Sequence, residues 1–216
     1  MTKRIIAMVG DFYHKEEWAV ASLNKALERL PEVTVEYAPA ENIIEHLQTN
    51  PDAVVLFKEN RSNPQDEEIE TWMDDEVATA ISQYVQDGGG WVAWHSGLAS
   101  YENIEKYTSM LRGYFEYHPD KHQVVTYKMV AGTEITSDES EFEFLDEHYF
   151  VFCDEDNTNI FLTSESVDGS SIAGWTHEYG KGRVVCLTPA HLEEGLLNQM
   201  LTSLLANSIK LSCGQQ

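Results

Sequence analysis

The chain has 216 residues, with 14 basic against 37 acidic side chains and a net charge of −23. Such a surface repels phosphate backbones and anionic bilayers, so nucleic acid and membrane are excluded as expected partners, leaving neutral or cationic small molecules and metal ions. Hydrophobic residues at 42% exclude disorder, and three cysteines without metal-ligand spacing (Cys153, Cys186, Cys213) exclude a disulfide framework or zinc ribbon.

The segment after Met1 runs directly into strand-like sequence, with no apolar core of a signal peptide and no run of membrane-spanning length. A cytoplasmic protein is the expectation. Residues 4–9 read as a buried strand that ends in the polar loop Gly10-Asp11-Phe12-Tyr13-His14. Apolar residues at Ala19, Leu23, Ala26, Leu27 and Leu30 then recur at helical spacing until Pro31. Val33 to Tyr37 is a second strand, a short helix follows over 42–47, and residues 53–57 form a third, buried strand. This alternation predicts a parallel sheet with helices on both faces.

A polar loop over 58–71 leads to a helix marked by Val77, Ile81 and Val85. Gly88 to Gly90 close it, and the apolar strand Trp91-Val92-Ala93-Trp94 breaks at His95-Ser96-Gly97, with a helix expected to restart near Leu98. These glycines precede a strand, whereas a dinucleotide fingerprint follows one, so no nucleotide cofactor is expected. Beyond this elbow come the aromatic segment 112–119, a strand over 124–130, an acidic stretch over 134–156 and short strands over 150–152, 160–163 and 172–176. The hairpin turn Gly180-Lys181-Gly182 leads into a strand over 183–188, which Pro189-Ala190-His191 breaks before a closing helix through Leu197, Leu201, Leu204 and Leu205. The chain shows no repeat or linker, so residues 1–216 are read as a single domain.

His95 and His191 each follow a predicted sheet strand, and both strands should run the same way. In open α/β sheets ligands bind at the carboxyl ends of strands, so these two histidines are candidates for one pocket, with Asp11 as a third member. Histidine suits both proton transfer near neutral pH and metal ligation. Spacing alone leaves Glu147, His118 and His177 open between site and surface, and gives His14, His46, His122 and His148 no role. Ser96 at a strand-helix turn raises a hydrolase reading, but Trp94 stands where the nucleophile-elbow pattern has glycine.

Five segments in order resemble the trehalose-utilisation (ThuA-like) family of the class I glutamine-amidotransferase-like superfamily. They are Gly88 to Gly97, Gly113-Tyr114-Phe115-Glu116-Tyr117-His118-Pro119, Asp146-Glu147-His148-Tyr149, Gly174 to Val184, and Pro189-Ala190-His191, where the family more often has glycine at 190. The resemblance implies a three-layer α/β/α sandwich with a mostly parallel central sheet, flavodoxin-like and amidotransferase-like. It implies a polar pocket lined by His95, His118, Glu147, His177 and His191, and a role in using trehalose or related keto-disaccharides. The parent fold's elbow cysteine is missing, which argues against a glutaminase, although His191-Leu192-Glu193 matches its His-x-Glu.

Three functions follow as expectations. The first is a carbohydrate enzyme working by acid-base chemistry through His95, Glu147, His191 and His177, or by a divalent metal, zinc or manganese, on ligands drawn from His95, His118, Glu147, His177 and His191. Here His118, Asp11, Ser96, Tyr101 and Trp175 would bind substrate, and Trp94 and Tyr114 are further aromatics of the kind that stack on sugars. The second is a non-catalytic sugar-binding or regulatory module, and the third a serine hydrolase through Ser96. A homo-oligomer is compatible with each.

Overall fold

A computed structural model describes residues 2–135 and 139–214, so 136–138 of the acidic stretch lie outside the described residues. The strands are β1 (Lys3–Val9), β2 (Val33–Tyr37), β3 (Ala53–Phe57), β4 (Gly90–Trp94), β5 (Gly113–Tyr117), β6 (Gln123–Met129), β7 (Glu141–Asp146), β8 (Phe150–Cys153), β9 (Asn159–Ser166), β10 (Gly169–Tyr179) and β11 (Gly182–Leu187). The helices are α1 (Glu16–Leu27), α2 (Ile43–Gln48), α3 (Asp75–Gln86), α4 (Glu105–Leu111), α5 (Glu193–Leu196) and α6 (Gln199–Ser212). Among the described residues no helix is long and apolar enough to cross a membrane.

Nine strands form one sheet in the order β2-β1-β3-β4-β11-β10-β9-β6-β7. From β2 to β11 every pairing is parallel, and from β11 to β7 every pairing is antiparallel. The expectation of a mostly parallel sheet therefore holds for one half only. The reason is connectivity: β6–β7, β9–β10 and β10–β11 are consecutive strands joined without a helical crossover, and such connections give antiparallel neighbours. β5 and β8 pair separately as a two-stranded ribbon.

The parallel strands β3 and β4 are buried at every position, as their unbroken apolar sequence requires. Alternate side chains feed two apolar clusters on opposite faces. Ile5, Val55, Val92 and Trp94 pack with Leu23 of α1 and Leu201 and Leu205 of α6. Ile6, Val54, Trp91 and Ala93 pack with Leu47 of α2, Ile81 of α3 and Tyr107 of α4. Each such large apolar side chain contributes roughly 1.5–3 kcal/mol on burial. Asp74 caps α3 by accepting the Val77 N–H at 2.9 Å, worth about 1 kcal/mol.

Two expectations change. No α-helix restarts at Leu98: residues 95–98 make a 3-10 turn, and α4 begins only at Glu105. Within the acidic stretch lies β7, whose Phe142, Phe144 and Asp146 are buried while Glu141, Glu143 and Leu145 are exposed. Its period of two is that of a strand with one wet face, which the acidic composition had masked.

Candidate functional site

The carboxyl edge of the parallel half collects the chain's polar turns. β11 lies beside β4 with Leu187 opposite Trp94, so the residues that follow them are neighbours. The rings of His95 and His191 come to 5.7 Å of each other, in keeping with the expectation that both follow strands running the same way. His95 sits at the tip of the elbow with φ of 46°, a left-handed conformation that β4 and the following turn impose on a bulky residue. The turn can lie this close to β3 because Gly97 has no side chain: a Cβ there would meet the Leu56 carbonyl oxygen at 2.3 Å. The strained elbow thus forms, and the residue at its tip is His95.

His95 is completely buried. Its Nδ1 donates to the Thr188 carbonyl at 2.6 Å, because a carbonyl oxygen can only accept. Burial, reinforced by the neighbouring His14, drives its pKa well below that of ordinary histidine, and the opposing pull of Glu147 is smaller. The ring is therefore neutral, with an unshared electron pair on Nε2. That atom is buried without a hydrogen-bond partner and lies 3.8 Å from Oε2 of Glu147. Tyr149 stacks on the ring at 4.2 Å and fixes its plane.

His14 repeats this arrangement from the loop after β1. Oδ1 of Asp11 accepts the backbone N–H groups of Tyr13 and His14 and, at 2.6 Å, Nδ1 of the His14 ring. Oδ2 accepts the Glu59 N–H at 2.9 Å. Burial opposes ionisation of Asp11, but the His14 ring and these N–H groups outweigh it and hold its pKa at about 2. With its proton on Nδ1, the His14 ring presents Nε2, which is also buried and unpartnered. Its ring lies 4.9 Å from that of His95 and 4.7 Å from that of His191.

Glu147 closes the set from the turn after β7. Its Oε2 is 3.2 Å from Nδ1 of His191, yet out of line for a hydrogen bond, so this nitrogen too is unpartnered. Burial raises the Glu147 pKa, but His191, His95 and His118 outweigh it and bring it down to about 2. Burial likewise works against a charge on His191, but Glu147, Asp146 and Asp11 lift its pKa above the ordinary value. Asp146 anchors His191 by accepting its backbone N–H at 2.7 Å, while the Tyr127 hydroxyl donates to the other oxygen.

One ligand atom each from His14, His95, Glu147 and His191 lie within 4.8 Å of one another. Donors around a tetrahedral zinc stand about 3.4 Å apart, so a contraction of up to about 1.4 Å would close the set. Three imidazoles and a carboxylate suit zinc, manganese or iron. The three orphaned ring nitrogens are what such an ion would satisfy, so the residues present fit a divalent cation. Cavity size does not mark this place: a cavity of about 770 Å³ lined by Tyr117, Phe150 and Phe152 contains none of these histidines.

The expected residues divide. His95, Glu147 and His191 come together, and His118 reaches Oε1 of Glu147 from the open side at 3.9 Å. Asp11 sits behind His14 and orients it. His177 does not join them: it pairs with Val184, near the amino end of β11, and donates to the Met110 carbonyl at 2.9 Å. Trp175 and Tyr101 are fully buried, bonded to the carbonyls of Leu111 and Lys58, and cannot stack on a substrate. Trp94 is equally buried, its indole N–H on the Pro189 carbonyl. Ser96 is completely enclosed and its hydroxyl meets no histidine. Glu193 is exposed, so the carboxylate facing His191 is Glu147 rather than the third residue of the His-x-Glu. His14 and His122 were missed. The placement that marked His95, a polar loop following a buried strand, also held for His14.

An α/β chain with a histidine–carboxylate centre at the carboxyl edge of its parallel strands is the class of protein that fold and site define. The chain belongs to the ThuA family (trehalose utilisation), whose family model matches residues 5–211. Among solved structures it resembles a ThuA-like protein from Parabacteroides merdae ATCC 43184, at 13% identity and a TM-score of 0.79, covering 100% of this chain and 91% of that one. A cytoplasmic protein from Salmonella typhimurium LT2 matches at 16% identity and a TM-score of 0.69, over 97% and 99% of the two chains. A β-galactosidase from Bacillus circulans matches at 8% identity and a TM-score of 0.67, over 99% of this chain but 31% of its own length. At such identities the likeness is one of fold. No curated protein sequence matches the chain.

Proposed function

We propose that this chain is a cytoplasmic enzyme of carbohydrate utilisation, built on an α/β/α sandwich, that acts on trehalose or a related keto-disaccharide at a divalent-cation centre. His14, His95, His191 and Glu147 would hold the cation. The observation that carries the reading is the convergence of three buried, unpartnered ring nitrogens on one ionised carboxylate. A cation bound there would supply Lewis acidity towards a sugar carbonyl or hydroxyl. The protein's own part is orientation: Thr188 and Asp11 fix which ring nitrogen of His95 and His14 points inward, and Tyr149 keeps the His95 plane. His118, part-exposed on the open side of Glu147, is available to a sugar hydroxyl. With histidine at the elbow tip and no cysteine beside it, the centre does not suit glutamine hydrolysis.

Elemental analysis before and after chelation, followed by turnover assays on keto-disaccharides, tests the reading. Near-stoichiometric zinc, manganese or iron, lost together with activity in His95→Ala, is the expected result. Metal-free protein whose melting temperature still rises with sugar would overturn the cation centre, leaving acid-base chemistry or simple binding.

A further inference from the structure

Glu147 is approached from two sides by two different sets of histidines. Its Oε2 faces the buried His95 and His191, at 3.8 and 3.2 Å. Its Oε1 faces His118 and His122, at 3.9 and 3.6 Å, whose side chains are 37% and 33% exposed. These two come from one loop, joining β5 to β6, and lie four residues apart. Nδ1 of His118 donates to the Pro119 carbonyl at 2.9 Å, so in the neutral ring Nε2 is an acceptor turned towards the carboxylate oxygen. Neither Nε2 is within hydrogen-bond reach of Oε1. The outer side of Glu147 thus carries a second pair of histidines, each facing Oε1 from the solvent side. The rings of His122 and His191 lie 5.4 Å apart, which brings the two sets side by side.

We propose that Glu147 bridges two divalent cations: an inner one on His14, His95, His191 and Oε2, and an outer, exchangeable one on His118, His122 and Oε1. The proposal rests on the inner centre argued above and assigns His122, otherwise without a role, as a ligand. Carboxylate-bridged pairs of ions stand about 3.5–4 Å apart, a span that the two oxygens of one carboxylate can serve. The division also answers a difficulty of the inner centre. Four protein ligands fill a tetrahedral shell, so a substrate oxygen would reach the inner ion only by raising its coordination to five, whereas catalytic ions usually keep a position open. With three protein ligands at the solvent side, the outer ion keeps that position, and a sugar carbonyl or vicinal diol fits it.

The test is titration of the chelator-stripped full chain with cobalt(II) or zinc(II), read by calorimetry and by the cobalt absorption spectrum. Two ions per chain are expected, one retained through dialysis and one exchanged. The doubly substituted His118→Ala/His122→Ala protein should bind one ion, the retained one, which also shows that its fold and inner centre are intact. One ion in the native protein, or two in the doubly substituted protein, would overturn the outer site while leaving the inner centre standing. No ion in the native protein would overturn both.

Discussion

Nε2 of His95 and Oε2 of Glu147 face each other across 3.8 Å, acceptor to acceptor, at the tip of a completely buried elbow. A buried polar atom left without a partner costs roughly 1–3 kcal/mol. His14 and His191 each present another to the same place. Core packing gains nothing from these unmade hydrogen bonds, and a cation would take all of these atoms as ligands, displacing the proton that Glu147 and Asp146 favour on His191.

Cation removal should therefore be felt as lost stability. At a free zinc concentration about a hundred times Kd, binding to the native state alone adds about 2.7 kcal/mol. In a chain of this length that corresponds to a melting temperature roughly 5–10 °C higher. Calorimetric scans with and without chelator check this; superimposable scans would count against the centre.

Asp11 acts on the cation only through His14. Asp11→Asn removes the charge that fixes the His14 ring, and a weakening of roughly 10–100-fold in cation affinity is expected, with the stoichiometry kept. Competition titration against a coloured chelator measures it. An unchanged affinity would mean that His14 is not a ligand.

His177 predicts a pH effect of its own, away from the site. Burial brings its pKa down to about 4, against the upward pull of the Met110 carbonyl. Between pH 6.5 and 4 the unfolded chain takes up a proton that the folded chain refuses, so stability is complete above pH 6.5 and falls as the pH is lowered. From pH 7 to pH 5 the loss from this residue is roughly 2 kcal/mol. Urea unfolding of the native protein and of His177→Gln at both pH values reads it. The variant should show a shallower fall and unchanged cation binding.

Trp175 and Tyr101 should behave as core residues. Trp175→Ala is expected to cost roughly 3–5 kcal/mol, through the cavity it leaves between β10 and α4. Tyr101→Phe leaves the Lys58 carbonyl without its donor and should cost roughly 1–3 kcal/mol. Denaturant melts give both numbers, and Tyr101→Phe should bind sugar as the native protein does.

Ser96 should be inert. Its enclosed hydroxyl meets no base, so a serine-directed phosphonate should leave the intact mass of the folded protein unchanged. A single phosphonyl adduct that disappears in Ser96→Ala would restore the hydrolase reading.

Local sequence determined a good deal of this protein. Strands β2 and β3 span the residues that their sequence suggests, 33–37 and 53–57, and the hairpin at Gly180 and Lys181 is where its glycines place it. The pairing of His95 with His191 was legible too, since both follow strands that had to run in parallel. Three things were not. The antiparallel half depends on which strands meet, and hydrophobic period does not record partners. The assignment of His177, Trp175 and Tyr101 to the site failed because a short motif does not say towards which edge or face of the sheet a side chain points. His122 carried no local signal, and the place of His14 in a loop after a buried strand did not by itself mark a ligand, for their role comes from proximity to Glu147, 133 and 25 positions further along the chain. Sequence patterns report what each segment buries. Which orphaned atoms end up facing one another is decided only when the segments pack.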